Sequence, residues 1–315
     1  MTHPNTTRLS SRLRLLCGLA LLIGLCALTG GLTRPAHALS KLKVTTCSSD
    51  AQLQAEVAQA NTDNASDVIT FACSGDIKLS STLKITGSMT LDGSGQSVTL
   101  DGGNSTQVLY VNNGVTFTLK ALTIAHGVRA LNALRTTTSA GGGLDNEGGT
   151  VTISNSTFSG NSASYGGGLF NNSLGDLTIS NSTFSGNSAD SGQGGGLFTF
   201  YGEVNIGGSI VAENTGGDCS NVDLGFGSYT DQGYNLTSDS SCGLAGTGSV
   251  QNTNPKLGPL ASNGGRTQTM ALLKGSPAID YIPLSSSLCP ATDQRGHKRP
   301  DSPQESACDI GAYES

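Results

Sequence analysis

Ile153-Ser-Asn-Ser-Thr-Phe158-Ser-Gly-Asn161-Ser-Ala163 recurs without change as Ile179 to Ala189, 26 residues further on. A degenerate third copy, Ile206-Gly-Gly-Ser-Ile-Val211-Ala-Glu-Asn214, keeps the apolar residues and the Asn at the same offsets. Between the copies lies a second marker, Gly141-Gly-Gly-Leu144, then Gly166-Gly-Gly-Leu169, then Gly194-Gly-Gly-Leu197. Each period of 25 to 28 residues thus holds one Gly-rich corner and one Phe-x-x-Asn corner. A period of this length suits a leucine-rich repeat or a parallel β-helix.

The residues decide between the two. No helix-forming segment lies inside the period, and Val151-Thr-Ile153 and Leu177-Thr-Ile179 show the two-residue rhythm of strands, apolar in and hydroxyl out. Gly and Asn at the corners tolerate the positive φ of sharp turns. A β-helix follows. Its coils lie about 4.8 Å apart, so residues one period apart stack on one another. Phe158 is expected over Phe184, and Asn161 over Asn187 and Asn214, with the buried amides sharing hydrogen bonds along the stack. These five are structural ladder positions.

Less regular coils extend upstream through Val68-Ile-Thr-Phe71, Leu83-Lys-Ile85, Met89-Thr-Leu91, Val98-Thr-Leu100, Val108-Leu-Tyr110 and Phe117-Thr-Leu119. Before them, Ala51 to Ala60 is the one helical stretch, with Leu53, Val57 and Ala60 on one face. An amphipathic helix there caps the open end of the coils. The expected organisation is a signal peptide over 1–38, an N-terminal cap over 39–66, regular coils over 67–215, and irregular coils plus a C-terminal cap over 216–315 of the same domain.

The signal peptide is read from Arg8, Arg12 and Arg14 ahead of an apolar run, Leu13 to Leu32, with Ala36-His37-Ala38 as the cleavage site. A membrane helix is the rival reading, but four glycines interrupt the run and Pro35 follows it. After cleavage no membrane span is expected. Outside the leader, six cysteines fall into sequence-local pairs, Cys47 with Cys73, Cys219 with Cys242, and Cys289 with Cys308. Six cysteines allow 15 pairings, and reduced buried thiols are the alternative; the nearest-neighbour scheme implies an oxidising, extracellular or cell-surface location.

The four leader arginines leave 13 basic against 23 acidic residues, a formal charge of −10. From Thr136 to Pro255 there is no Lys, Arg or His. Nucleic-acid partners are excluded on this ground, since their affinity comes from cations neutralising phosphates.

On these motifs the chain resembles the right-handed β-helix proteins of the pectin-lyase-like superfamily. Asn254-Pro-Lys-Leu-Gly-Pro-Leu260, Asn263-Gly-Gly, Gly275-Ser-Pro-Ala-Ile-Asp280, Asp293-Gln-Arg-Gly296 and Cys308-Asp-Ile-Gly-Ala-Tyr-Glu314 are similar to the surface proteins of the choice-of-anchor Q type. The Gly-Gly-Gly-Leu and Phe-Ser-Gly-Asn corners resemble repeats of chlamydial polymorphic outer-membrane proteins. The resemblance implies an all-β chain forming a single right-handed parallel β-helix with a short N-terminal capping α-helix, and it leaves the biochemical activity unassigned.

Fold alone does not give function. Asp176 stands three residues before Ile179 and Glu203 three before Ile206, so the two carboxylates are expected to stack on neighbouring coils. They are weak catalytic candidates, a calcium ion between them is an alternative, and solvated turn residues are the plainest reading. His126, Arg129 and Arg135 surround an insertion, since Ile124 to Gly141 takes 17 residues where Phe158 to Gly166 takes 8. With Tyr165 and Tyr201 they are the candidate binding residues. The expected function is a secreted or cell-surface scaffold for adhesion or glycan binding, engaging polysaccharide or a host or cell-envelope surface without catalysis. A glycosidase or lyase on the outer face is the alternative.

Overall fold

The computed structural model describes residues 41–315 apart from 63–64, 130–138, 191, 223–227, 266 and 303; the expected signal peptide lies outside the described residues. The chain winds through three parallel sheets in turn. The first stacks Lys41–Val44, Asp67–Phe71, Met89–Asp92, Thr116–Lys120, Thr150–Ser154, Asp176–Ser180, Glu203–Gly207 and Ser228–Gly233. The second holds Gly75–Lys78, Val98–Asp101, Thr123–Ala125, Thr157–Ser159, Thr183–Ser185, Ile210–Ala212 and Leu236–Thr237. Leu83–Ile85, Leu109–Val111, Leu144–Glu147, Leu169–Asn172, Leu197–Phe200 and Cys219–Val222 make the third. This is a parallel β-helix.

Side-chain alternation builds its interior. Val151 and Ile153 lie in register between Phe117 and Leu119 on one side and Leu177 and Ile179 on the other, all buried. Phe158 pairs with Phe184 in the second sheet, and their rings stack with centroids 4.5 Å apart and planes inclined by 12°. An Asn ladder runs along the coils: Asn161 Nδ2 donates to Asn187 Oδ1 at 2.9 Å, and Asn187 Nδ2 to Asn214 Oδ1 at 3.0 Å.

Asn214 Nδ2 in turn donates to Asp218 Oδ1 at 3.1 Å, so the ladder ends on a group that only accepts. Asp218 aligns with the third glycine of the Gly-Gly-Gly-Leu marker, because Leu197 pairs with Cys219. In the coils before it, a Cβ on Gly143 or Gly168 would lie 2.5 or 2.6 Å from the next coil's carbonyl oxygen. Glycine is therefore required at these two positions, and Asp218 takes the slot where the regular coils end.

The helix Ala51–Ala60 buries Leu53, Val57 and Ala60 against the core of the first coils. Asn61, at its end, ties it to the third sheet: Nδ2 donates to Lys84 O at 2.8 Å, and Oδ1 accepts from Thr86 N and Gly87 N. Three disulfides join Cys47 to Cys73, Cys219 to Cys242 and Cys289 to Cys308.

Among the described residues of 216–315, the strands to Thr237 continue the coils, and a parallel bridge from Leu236 to Val250 extends the second sheet once more. From Leu257 the chain forms two small antiparallel pairs and runs along the outer face of the second sheet. Gln268 Nε2 reaches Asp76 at 3.2 Å, Thr267 meets Thr123 at 3.0 Å, Thr157 Oγ1 donates to Gln294 Oε1 at 2.6 Å, and Ala312 N donates to Thr183 Oγ1 at 3.1 Å. Farther along, Ile310 and Ile282 share a second apolar cluster with Ile210 and Ala212. From Thr123–Ala125 to Ile210–Ala212 the second sheet is thus buried on both faces, and none of these strands shows an exposed side.

Candidate functional site

With the second sheet covered, the first and third present outer faces. On the first, Thr90, Thr118, Thr152, Thr178, Asn205 and Thr230 are successive register partners and each is at least partly exposed. A parallel row, Thr116, Thr150, Asp176, Glu203 and Ser228, lies two residues earlier on the same strands and is exposed throughout. Strand rise sets the rows roughly 6.6 Å apart, and the coils repeat at about 4.8 Å. Asp176 and Glu203 are direct register partners, so the carboxylates sit on neighbouring coils. Among the described residues no group of three or more His, Cys, Asp or Glu is placed to hold a metal ion, so a cation at these two carboxylates would draw on them and on backbone or water oxygens.

The third face carries Lys84, Tyr110, Asp145, Phe170, Phe198 and Ser220 in one register row. Phe170 stacks on Phe198 at 5.4 Å and Tyr165 meets Phe198 edge-on at 5.4 Å, while Tyr201 packs on Phe200 at 4.1 Å. Phe170 and Phe198 are buried. These aromatics form a satellite core, with Tyr165 and Tyr201 half-buried at its rim. Of the other aromatics, Tyr229 turns inward and donates its hydroxyl to Ser220 O at 3.0 Å, and Tyr234 packs against the second apolar cluster.

Asp145 is buried in this row and its Oδ1 has no hydrogen-bond partner. Burial pushes its carboxyl up to about 8, Glu147 adds to the rise, and Arg129 opposes it. Burial likewise raises the Tyr110 hydroxyl, helped by Glu147 and Asp145.

Between the N-terminal helix and the early coils of the third sheet lies a cavity of about 810 Å³. Its described lining includes Asn61, Thr82, Lys84, Thr106, Gln107 and Arg129. Arg129 NH1 donates to Gln107 Oε1 at 3.0 Å, and the buried Gln107 amide is fixed by Ala140 O and Gly141 O. Of the expected binding residues that are described, Arg129 alone lines this cavity. His126 holds Asp101 at 3.1 Å instead, and Arg135 lies outside the described residues. Lys84 and Gln107 were not singled out from the sequence. Lys84 carries a signal, a cation alternating between buried Leu83 and Ile85, whereas nothing local marks Gln107.

No protein family and no curated protein matches the chain by sequence. Among solved structures, the chain is similar to Jun a 1, the major allergen from cedar pollen, at 15% identity and a TM-score of 0.34. That similarity covers 62% of this chain and 57% of the allergen, so the match spans little over half of its length. The fold stands on the strand register alone.

Proposed function

We propose that this chain is an exported β-helical scaffold that binds glycan at the cell exterior for adhesion, without covalent chemistry, and that the outer face of the first sheet is its binding surface. The six-position row Thr90 to Thr230 carries this reading. A hydroxyl both donates and accepts, and a polysaccharide also offers hydroxyls at a repeating spacing. Single exchanges of this kind contribute only about 0.5–1.5 kcal/mol, so affinity comes from their number. Three disulfides support an oxidising location, and no helix among the described residues is long and apolar enough to cross a membrane.

A glycan array run with and without calcium tests this reading. Retention of one polysaccharide class without turnover, unchanged by Asp176→Asn or Glu203→Gln, is the expected result. Cleavage that these substitutions abolish would make the chain an enzyme.

One observation favours a polysaccharide-active enzyme as the second reading. Asp145 stays protonated up to about pH 8, as a general acid must. Glu147 follows two residues along the same strand, its Cα roughly 6.6 Å away by strand rise, and inverting glycosidases pair a general acid with a second carboxylate. Turnover lost in Asp145→Asn would establish that reading.

A further inference from the structure

We infer that the cavity between the N-terminal helix and the third sheet binds an oxyanion, a sulfate or phosphate group, through Lys84 and Arg129. This site is separate from the threonine face and does not depend on glycan binding there.

Charge is the first argument. The chain after residue 38 is acidic by 10 charges, and 120 consecutive positions from Thr136 to Pro255 hold no cation. The described lining of this cavity nevertheless contains two cations and no carboxylate. They come from distant parts of the chain, Lys84 from the outer face of a strand and Arg129 from the corner after Thr123–Ala125. Like charges facing one space repel unless an anion lies between them. Asp145 interacts with Arg129, but burial pushes its carboxyl up to about 8, so it does not neutralise the guanidinium at neutral pH.

Preorganisation is the second argument. Gln107, 2% exposed, holds one arm of the Arg129 fork through its Oε1 while both backbone acceptors of its own amide are in place. Asn61 clamps the helix to the backbone of Lys84, fixing the opposite wall. The hydroxyls of Thr82 and Thr106 supply neutral donors on the same lining. A planar Arg fork, a flexible ammonium and hydroxyl donors together suit a tetrahedral oxyanion, and fixed walls reduce the ordering cost of binding.

The test is a titration of the intact protein with sodium sulfate and sodium phosphate, at constant ionic strength in chloride, followed by amide chemical shifts. A sulfated oligosaccharide and its unsulfated counterpart form two further arms. The expected result is saturable shifts at Lys84, Thr106 and Arg129 with either inorganic anion. Read at the Lys84 and Arg129 shifts, the sulfated sugar should bind at least tenfold tighter than the neutral one. Lys84→Gln changes an exposed side chain and should weaken binding at least tenfold with an unchanged melting curve, whereas Lys43→Gln should leave it alone. Absence of saturable shifts, equal binding of the neutral sugar at Lys84 and Arg129, or undiminished affinity in Lys84→Gln would each overturn the inference. None of these outcomes bears on the threonine face, which Lys84 does not touch.

Discussion

Arg299 and Glu314 form an ion pair at 3.2 Å that is almost wholly closed to water. Arg299 also donates to Asp309 O at 2.7 Å and Gly311 O at 2.6 Å. Beside it Asp293 pairs with Arg295 at 2.8 Å and accepts from Glu314 N, while the Arg295 guanidinium lies 3.7 Å over the Tyr313 ring. The Asp293-Gln-Arg-Gly296 and Cys308-to-Glu314 motifs are thus the two halves of a clasp that holds the C-terminal segment on the second sheet.

Removing one partner of a buried pair leaves the other uncompensated, at about 3–5 kcal/mol. Arg299→Ala should therefore destabilise the protein by that order. Limited proteolysis should then cut first within 257–315, while the coils, which the Arg does not touch, stay resistant. Cleavage inside the coils before the C-terminal segment would contradict the clasp.

The Asn ladder makes a sharper demand at its end. Asp218 accepts from Asn214 on one oxygen and from Ser238 N, Ser238 Oγ and Asp239 N on the other. Asp218→Asn, although isosteric, turns one oxygen into a donor facing donors. A loss of roughly 1–3 kcal/mol is expected, read as a lower denaturation midpoint in urea. An unchanged midpoint would show that the ladder does not need an acceptor at its end.

Stability should fall as pH rises from about 4 to 8. The folded chain holds the Asp145 proton up to about 8, chiefly through burial, whereas its ordinary value is 3.8. Proton uptake on folding in this window means that each unit crossed removes up to about 1.4 kcal/mol per group. Asp145→Asn should flatten the upper part of this slope, raising the melting temperature at pH 9 and changing it little at pH 4. A melting temperature lowered at pH 9 but not at pH 4 would mean that Asp145 is needed as a charge, and would contradict this account.

The coils were legible because a stacked fold repeats its chemistry: Phe158 and Phe184 share one environment, so they share one residue type, and the same holds for Asn161 and Asn187. The helix Ala51–Ala60 was legible from three apolar positions on one face. The C-terminal segment was not legible as a cover for the second sheet, because Gln294 and Thr157 are 137 residues apart and neither is apolar. Its motifs stood out, but their contacts are long-range ion pairs and backbone carbonyls that no local period announces. The candidate sites divide in the same way. Asp176 and Glu203 could be paired by counting offsets from Ile179 and Ile206, whereas Lys84, Gln107 and Arg129 meet only because the helix end and an irregular corner fold toward the same strand.

Replacing Thr118, Thr152 and Thr178 together by Val keeps the β-branched shape that strands favour and strips three hydroxyls from the middle of the exposed row. The direct measurement is the affinity of this triple variant for the polysaccharide retained by the parent protein, with circular dichroism to confirm an unchanged fold. A loss of roughly tenfold or more at unchanged melting temperature is the result expected from three lost hydrogen bonds. Equal affinity of variant and parent would show that the threonine face is not the binding surface.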